Sequence, residues 1–449
     1  MSRSVYLLSL GCAKNLVDSE CMSQILTAAG FIIADSPTSA SVLIVNTCGF
    51  IESAKREAIN AILELAAYKQ PNGNSRYLIV TGCLAQRYAQ EIHRDLPEVD
   101  AVLGTGEYGR IVETIAQLEH AQPASRLFLG PVPAGSIDHL SVPRQPSNHG
   151  KYAYIKIAEG CSNRCAYCAI PSIRGEFHSR RLEDIIAEAD RLSRAGRDEL
   201  ILIAQDTGRF GLDLYGQRML LPLLQAICKL DSVRMVRIMY IYSDGLSNEL
   251  IQFIALEPKI AHYLDIPIQH AANAVLARMN RRDTQDGLRQ TIRSLRDAIP
   301  DLVLRTTVMV GFPGETDEEF NELLEFLQEM KFDRLGSFVF SAEEGTPAFS
   351  MRPKVSRKIS RQRQAAVMNQ QKQLSSQANQ RRIGQVIPVT LESVDERGIF
   401  FIGRSYGEAP DVDPIIFVAA ADSGLEIGQT CPVRIVDAGE YDLTGVTEL

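Results

Sequence analysis

The apolar residues of the first 120 positions fall into short runs separated by longer amphipathic stretches. Three runs are almost continuous: SVYLLSL (4–10), SVLIVNT (41–47) and RYLIVTG (76–82). Strands that are buried on both faces of a parallel sheet show this pattern. The stretch 52–69 has the periodicity of an amphipathic helix. Alternating strands and helices predict a parallel-sheet α/β domain, which we place at residues 3–119.

The same alternation returns between residues 151 and 345, over six further apolar runs. In chain order these runs read YAYIKIA, ELILIAQ, VRMVRIMYI, YLDIPIQ, LVLRTTVMV and LGSFVFS. Six strand–helix units in series predict a partial (β/α)6 barrel, which we place at residues 147–377. Barrels of this kind carry their sites at the carboxyl ends of the strands.

Beyond the barrel the pattern changes to a basic helix and then to short β-rich runs. Residues 354–382 have the composition of a polar, Gln-rich helix. The runs VIPVTLESV, GIFFIGRSY, IIFVAAA and CPVRIVDAG predict a small all-β barrel at residues 378–449. Between the first two domains, the segment 121–150 holds five prolines that predict an irregular linker: Pro123, Pro131, Pro133, Pro143 and Pro146.

The bulk composition indicates a multidomain globular chain. A length of 449 residues exceeds what one hydrophobic core supports, and 45% hydrophobic with 23% charged residues is ordinary. No apolar stretch approaches the roughly 18 residues that span a bilayer. The opening residues MSRSVYLLSLGCAKN lack the order of a signal peptide. We therefore expect a cytoplasmic protein, in which nine cysteines indicate metal or redox chemistry rather than disulfides.

The net charge of −8 is unevenly distributed along the chain. Residues 350–383 carry nine Lys or Arg and no acid, whereas residues 384–449 carry twelve acids and three arginines. An acidic domain repels a phosphate backbone and suits a basic protein partner, although an acidic surface also serves solubility alone. The acids that we expect to meet such a partner, where exposed, are Asp411, Asp413, Asp422 and Glu426.

Three cysteines follow the three N-terminal apolar runs. Cys12, Cys48 and Cys83 each stand at or just after the end of a run, 36 and 35 residues apart. Parallel strands end on one edge of a sheet, so the three thiols should converge where α/β sheets bind ligands. The alternative is that all three are ordinary buried cysteines. Three equivalent positions favour a site.

A second set of three cysteines lies in the segment EGCSNRCAYCAIP, as Cys161, Cys165 and Cys168. A closed zinc site needs four ligands, and the candidate fourth, His178, does not have the usual paired spacing. A four-iron cluster held by three thiolates leaves one iron open. The pattern CxxxCxxC resembles the signature of radical S-adenosylmethionine (SAM) enzymes. That resemblance implies that the open iron binds SAM and that one electron releases a 5′-deoxyadenosyl radical.

Several residues near the barrel mouth are candidate SAM contacts. Tyr167 stands where radical SAM enzymes have an aromatic residue near the adenine, or it packs beneath the loop. The segment GFPGET (311–316) either meets SAM or only caps a strand and begins a helix at Thr316. His270 should also face the mouth, in a role that the sequence leaves open. The candidate contacts are Tyr167, Gln205, Asp206, Gln269, Gly311, Gly314 and Glu315.

The two cysteine triads in this order, followed by a terminal β-barrel, resemble the methylthiotransferase family over essentially the whole chain. In that family the first triad, matched by Cys12, Cys48 and Cys83, binds an auxiliary [4Fe-4S] cluster, and the terminal module is a TRAM domain. The segment GCAKNLVDSE (11–20) is very similar to the GCPKNLVDSE of the RimO-type branch, with Ala13 in place of proline. YIKIAEGC, CAIPSIRG, LDIPIQHA and SAEEGTPA also resemble that branch, whereas RGEFHSRR departs from it at Arg181.

The resemblance implies two [4Fe-4S] clusters, SAM, and transfer of a methylthio group to the β-carbon of an aspartate in small-subunit ribosomal protein twelve. The competing branch modifies an adenosine in transfer RNA, which the acidic terminal domain disfavours. A third alternative is a non-catalytic iron–sulfur carrier or scaffold, which would form no 5′-deoxyadenosine. Hydrogen-atom removal requires no general base, so no catalytic side chain is predicted.

The remaining expectations concern partners and packing. The partner would be the ribosomal protein, free or in the ribosome, with an electron donor such as flavodoxin or ferredoxin, and the chain would be a monomer. The basic helix is either a strut between the barrel and the terminal domain or a contact to ribosomal RNA. The barrel is expected to cleave SAM without the terminal domain. Cys21, Cys228 and Cys431 are expected in the hydrophobic core.

Overall fold

The structure is a computed structural model that describes residues 3–69, 75–120, 127–129, 137–148, 150–420 and 424–448. It contains two parallel sheets, a small two-stranded sheet and a closed antiparallel-type barrel. The α/β fold class is therefore confirmed, including the terminal five-stranded barrel. In the described residues, no helix is both long and apolar enough to cross a membrane.

The N-terminal sheet has six parallel strands in the order β2-β1-β3-β4-β5-β6. Its strands are β1 (Ser4–Ser9), β2 (Ile32–Ile33), β3 (Val42–Thr47), β4 (Tyr77–Gly82), β5 (Ala101–Leu103) and β6 (Leu127–Leu129). Its helices are α1 (Ala13–Ala28), α2 (Glu52–Ala66), α3 (Cys83–Asp95) and α4 (Ile111–His120). The three predicted runs became the adjacent strands β1, β3 and β4, with apolar cores on both faces.

The second sheet is an open parallel barrel in the order β14-β13-β12-β11-β10-β7, and its six strands match the six predicted runs. Its strands are β7 (Tyr152–Lys156), β10 (Glu199–Ile203), β11 (Met235–Ile238), β12 (Ile260–Asp265), β13 (Val303–Val310) and β14 (Arg334–Val339), and β8 (Ala158–Glu159) pairs with β9 (His178–Ser179). Its helices are α5 (Ile170–Arg174), α6 (Leu182–Arg194), α7 (Leu220–Cys228), α8 (Asn248–Leu256), α9 (Asn273–Arg278), α10 (Gln285–Ala298), α11 (Asp317–Met330) and α12 (Pro347–Ser350).

A long helix leads from this barrel to the terminal domain. The predicted basic helix is α13 (Arg357–Gln380), which packs along β14 and contacts β18. The terminal barrel closes in the order β15-β16-β17-β19-β18, from β15 (Val386–Val394), β16 (Phe401–Arg404), β17 (Ile416–Ala419), β18 (Thr430–Ala438) and β19 (Leu443–Thr447). Four of these strands correspond to the predicted runs, and the fifth, β19, was not predicted because it carries only two large apolar residues.

The loop 405–415 of the terminal domain enters the face of the barrel sheet that the helices leave uncovered. We call it the plug loop. Tyr263 Oη donates to Asp413 Oδ2 at 2.6 Å, and Arg305 forms an ion pair with Asp413 at 3.4 Å. Ala409 packs in one apolar cluster with Tyr154 and Tyr263. The terminal domain therefore supplies part of the barrel interior.

The contacts of the terminal domain with the barrel show which of its acids are exposed. The side chain of Asp413 is only 2% exposed, so Asp413 is not a surface acid. Arg404 of the terminal barrel also reaches Glu199 of β10 at 2.9 Å, in a buried ion pair. The terminal domain therefore contributes to the barrel interior, and SAM cleavage by the barrel without that domain stays a prediction. Asp422 lies outside the described residues, whereas Asp411 and Glu426 are exposed.

The linker expected between the first two domains is partly described. Pro123, Pro131 and Pro133 lie outside the described residues, whereas Pro143 and Pro146 belong to a segment with one short 3-10 turn. In this segment Arg144 is buried, where it pairs with Glu20 of α1 and with Glu188 of α6. The segment thereby ties the N-terminal domain to the barrel.

Candidate iron–sulfur and substrate site

The first cysteine triad lies on one edge of the N-terminal sheet. Cys12 precedes α1, Cys48 directly follows β3, and Cys83 is the first residue of α3. Gly11 has φ +94°, and a β-carbon there would lie 2.7 Å from Cys48 Cβ. Only glycine satisfies both the positive φ and this close approach. The loops that carry Cys12 and Cys48 are therefore in contact.

Asn15 ties the three cysteine loops together from the first turn of α1. Its Nδ2 donates to Leu10 O at 2.9 Å and to Thr47 O at 3.0 Å, at the ends of β1 and β3. Its Oδ1 accepts from Cys83 Sγ at 3.6 Å and from Arg174 Nη2. One buried amide thus fixes the positions from which all three thiols project.

The electrostatics of this triad differ from one thiol to the next. Desolvation opposes ionisation of Cys12, but the cations of Lys14 and Arg174 outweigh it and lower the pKa of Cys12. Burial raises the pKa of Cys48, and it raises the pKa of Cys83 to about 12. Thiolates are the form that binds iron. The buried pair would therefore ionise on binding a cation-rich cluster rather than beforehand.

The second triad lies on one loop after β8, at the carboxyl end of the first barrel strand. Gly160 has φ +70°, and a β-carbon there would lie 2.0 Å from Glu176 O. Cys168 Sγ accepts from the backbone N–H of Ile170 at 3.4 Å, and Cys165 Sγ lies 3.6 Å from Tyr242 Oη. Burial raises the pKa of Cys161 to about 11. His178, considered as a zinc ligand, is exposed on β9.

Both triads present three soft sulfur donors, which suits iron–sulfur clusters. In the described part of the chain, no three His, Cys, Asp or Glu side chains come close enough together to hold a single metal ion. A cluster of four irons is larger than an ion and spreads its thiolate ligands further apart. The residues present therefore fit two clusters with three protein ligands each.

Helix α5 separates the two triads and contacts both. Cys83 packs directly against Ala169 and Ile173, and Ala169 follows Cys168 in the chain. At the far end of α5, Arg174 donates to Asp18 at 3.1 Å and to Glu159 at 2.8 Å in a fully buried network. Helix α5 thus lies next to both predicted cluster sites.

A second ionic contact holds the N-terminal domain on the barrel. Glu343, 2% exposed, lies in the loop after β14 and pairs with Arg87 at 2.7 Å and with Lys55 at 3.1 Å. In α12, which follows this loop, Ala348 N donates to Ala166 O, inside the second triad, at 2.8 Å. The segment SAEEGTPA thus connects the first domain to the barrel's cysteine loop.

The candidate SAM contacts that follow β10 and β12, the second and fourth strands of the barrel in chain order, lie at the barrel mouth. Asp206 is fully buried, and its Oδ2 accepts from Asn163 Nδ2 at 2.8 Å, whereas Oδ1 has no described partner. Burial raises the pKa of Asp206. Gln205 beside it is half-buried. Gln269 follows β12 with φ +65° and is held by a backbone hydrogen bond to Thr307 O at 2.8 Å.

Tyr167 and His270 are both buried. Tyr167 packs in an apolar cluster with Phe312, Met279 and Ala348, next to its neighbours in the cysteine loop. His270 Nδ1 accepts from Ala272 N at 3.0 Å, and burial lowers the pKa of His270 to about 3. His270 is therefore neutral at physiological pH, and its Nε2 has no described partner.

The GFPGET segment is organised by Glu315. Its carboxylate accepts from the backbone N–H groups of Gly311 and Phe312, and it pairs with Arg363 of α13 at 2.9 Å. Gly311 contacts α13, because a β-carbon there would lie 2.1 Å from Ser360 Oγ. Gly314, with φ +77°, follows in the same turn. The loop reaches the strand end, but the Glu315 carboxylate is directed into the loop itself.

Four chemically relevant residues escaped the sequence reasoning. Lys14 Nζ lies 3.6 Å from the centroid of the Tyr240 ring, and Asp265 Oδ1 accepts from Arg305 Nη1 at 3.2 Å. Lys14 lies within the motif GCAKNLVDSE. That motif was used only to recognise the family resemblance, and no role was assigned to the lysine. Its proximity to Tyr240 depends on how α1 sits on the barrel, which no local pattern shows.

Comparisons with known proteins agree with this architecture. Three family models match: the uncharacterized protein family UPF0004 at residues 4–104, the radical SAM superfamily at 155–327 and the TRAM domain at 383–447. The solved structure of the radical SAM methyltransferase TsrM from Kitasatospora setae, with tryptophan and a SAM analogue, shares the fold. Its TM-score is 0.57 at 14% identity, over 84% of this chain and 90% of that chain.

Curated relatives cover nearly the whole chain. The ribosomal protein uS12 methylthiotransferase RimO of Acetivibrio thermocellus is 44% identical over 99% of this chain and 98% of its own length. The RimO of Desulforamulus reducens is 46% identical over 98% of this chain and 99% of its own length. That of Geobacter sulfurreducens is 45% identical over 98% of each.

The two triads, the open barrel and these matches define a radical SAM enzyme of the methylthiotransferase class. Within that class, the chain belongs to the RimO family. Membership implies two [4Fe-4S] clusters and SAM as cofactors.

Proposed function

We propose that this chain transfers a methylthio group to the β-carbon of an aspartate in ribosomal protein uS12. The observation that carries the proposal is the proximity of the two cysteine triads, because Cys83 packs against Ala169, the residue after Cys168. A sulfur donor and a radical source must both reach one carbon, so two such sites must lie close together. The relatives named above are uS12 methylthiotransferases.

In this proposal each triad holds its own [4Fe-4S] cluster. Cys12, Cys48 and Cys83 carry the auxiliary cluster, and Cys161, Cys165 and Cys168 carry the barrel cluster. When bound, the clusters supply a sulfur site and the electron that cleaves SAM. The chain's own residues position these groups: Asn15 fixes the first triad, and α5 sets its separation from the second.

The barrel mouth binds SAM in this proposal. Asp206 Oδ1 and His270 Nε2 are buried polar atoms without described partners, as residues that await a ligand would be. Gln205, Gln269, Gly311 and Gly314 line the neighbouring strand ends, and Tyr167 packs under the cysteine loop. Glu315 acts indirectly, because its carboxylate shapes the glycine loop.

The terminal domain and helix α13 contribute to partner choice and support. Helix α13 serves as a strut, because Arg363 pairs with Glu315 on the barrel and Lys372 pairs with Glu440 on the terminal barrel at 2.7 Å. The remaining surface acids favour a basic protein over RNA. A one-electron donor such as flavodoxin or ferredoxin completes the proposal, with the chain acting as a monomer. The domain bounds 3–119, 147–377 and 378–449 remain part of the proposal.

The test compares cells with and without this chain. Mass spectrometry of uS12 and of transfer RNA should show the methylthio mass disappearing from uS12 alone. Reconstituted protein should also form 5′-deoxyadenosine from SAM under reduction. Loss of the modification from transfer RNA instead would overturn the substrate assignment, and failure to form 5′-deoxyadenosine would favour a scaffold.

A further inference from the structure

Lys14 is a buried lysine beside the first triad that forms no ion pair with a carboxylate among the described residues. The residue is 6% exposed, on the first turn of α1 and two positions after Cys12. Within the described residues its Nζ makes no hydrogen bond and no ion pair, and its nearest recorded partner is the Tyr240 ring at 3.6 Å. A largely buried amine with unused N–H donors is expected to meet a hydrogen-bond acceptor.

Two carboxylates, those of Glu159 and Asp265, act on Lys14 electrostatically without forming an ion pair with it. Glu159 pairs with Lys156 at 2.7 Å and with Arg174 at 2.8 Å. Asp265 Oδ1 pairs with Arg305 at 3.2 Å, so one oxygen of Asp265 is already occupied. Neither carboxylate therefore uses the N–H donors of Lys14, which remain open to an acceptor that enters from outside.

The ring below Lys14 is held in place by the barrel. Tyr240 directly follows β11 with φ +58°, a conformation that non-glycine residues rarely adopt. Its carbonyl accepts from Thr207 N at 3.0 Å, which fixes the strained backbone. A fixed ring supports the lysine through a cation–π contact and leaves the remaining N–H donors unused. The lysine is thus oriented before any ligand arrives.

We propose that Lys14 binds the side-chain carboxylate of the substrate aspartate. This inference rests on the proposed function and identifies a residue that selects the substrate. The carboxylate is bonded directly to the β-carbon, so anchoring it on Lys14 holds that carbon beside the triad of Cys12. The lysine shares α1 with Cys12 and Asn15, so the anchor and the sulfur site keep a fixed relation to each other.

A charge-assisted hydrogen bond in a desolvated site also provides selectivity. Hydrogen bonds to charged groups are worth about 1.5–3 kcal/mol, which corresponds to roughly tenfold to a hundredfold in affinity. A neutral asparagine in place of the aspartate would lose this bond and leave the ammonium group unpaired. The wild-type protein should therefore discriminate between two side chains of almost equal size.

The test is a double-mutant cycle on the reconstituted full-length protein. Peptides that contain the target segment of uS12, with the native aspartate or with asparagine, are titrated against wild type and Lys14→Met. The wild type should bind the aspartate peptide at least about tenfold more tightly, and Lys14→Met should bind the two peptides equally. Lys14→Arg should retain most of the preference.

Lys358→Met serves as the matched control, because Lys358 is exposed on α13 and makes no described ion pair. It changes the net charge identically and should keep the wild-type preference. Equal binding of both peptides by wild type, or an unchanged preference in Lys14→Met, would overturn the inference. Loss of iron from Lys14→Met but not from Lys358→Met would assign Lys14 to the cluster instead and would also overturn it.

The same peptides separate this inference from the proposed function. If wild type modifies an RNA and neither peptide, the proposed function fails and the inference fails with it. If wild type and Lys14→Met modify the aspartate peptide with equal kcat and KM, the proposed function stands and the role of Lys14 alone is refuted. A higher KM for the peptide in Lys14→Met, with an unchanged KM for SAM, supports both.

Discussion

The two cysteine triads reach similar donor sets by different routes. The second occupies eight consecutive residues, 161–168, and needs only the shape of one loop. The first spans residues 12 to 83 and exists only because β1, β3 and β4 are neighbours in a parallel sheet. A site formed by one loop should tolerate substitutions elsewhere in the domain. A site formed by the ends of three strands depends on every element that fixes the sheet edge.

The side chains that surround the two triads also differ. The second triad is enclosed by apolar and aromatic side chains, among them Tyr167 and Phe312. The first lies beside charged and amide groups, chiefly Lys14, Asn15 and Arg174. The first environment thus offers contacts to polar ligands, and the second excludes water from a radical.

The largest expected effect is the separation of the two activities by single cysteine substitutions. Cys165→Ala should abolish 5′-deoxyadenosine formation, whereas Cys48→Ala should lose methylthio transfer and keep some SAM cleavage. Wild type should contain about eight irons and each variant about four. The readouts are chromatography of 5′-deoxyadenosine, product mass and iron analysis. Unchanged product yield in Cys48→Ala would refute the sulfur role of the first triad.

A second large effect should follow from Arg174→Met. The change leaves Asp18 and Glu159 with less compensating charge in a buried network, which typically costs about 3–5 kcal/mol. Iron should be lost from the first triad before the second, because Arg174 contacts Asn15. Urea unfolding and iron analysis measure both quantities. Arg56→Met is the control, since its pair with Glu52 on α2 is exposed and contributes little.

Substitution of two glycines, one beside each triad, should give effects of intermediate size. Gly11→Ala should disturb the first triad and Gly160→Ala the second, because both glycines have positive φ and a β-carbon would overlap neighbouring atoms. Each should cost about 1–3 kcal/mol. Spectra of the two reconstituted variants should show loss of opposite clusters. Gly216→Ala, also at positive φ but with open space around it, isolates the cost of the backbone conformation alone.

The smallest effect should come from surface charge far from both triads. Glu396→Lys together with Glu426→Lys, both exposed on the terminal domain, should weaken uS12 binding by about twofold to fivefold. The loss should shrink at high salt, because screening acts on exposed charges. Titrations at two salt concentrations measure it, with iron content as the unchanged reference. If the variant bound uS12 as tightly as wild type at both salt concentrations, the acidic surface would serve solubility alone.

The sequence was most informative where structure is local. Apolar runs of five or more residues became strands, and the cysteines at their ends were placed correctly on one edge. Strands of two or three residues, such as β2 and β5, carry too short a pattern to be recognised. Cys21, Cys228 and Cys431 are buried, as expected from their apolar neighbours.

The polar framework of the site could not be predicted for a physical reason. Asp18 meets Lys156, Arg174 and His139, each more than 100 residues away in the chain. Such pairs depend on how two finished domains dock, and a charged residue on a predicted helix gives no sign of being buried. The same limit applies to Asp413, one of the four acids expected to meet a partner where exposed, whose side chain is buried and pairs with Arg305.

The plug loop has a consequence for the order in which the molecule is completed during synthesis. Its residues 405–415 follow all six barrel strands in the chain, yet they cover Tyr154, Tyr263 and Arg237 inside the barrel. Until the ribosome has delivered the terminal domain, Tyr154 and Tyr263 lack this cover and Glu199 lacks the partner Arg404. The barrel interior is therefore completed late in synthesis, and its final shape is set by the domain that is translated last.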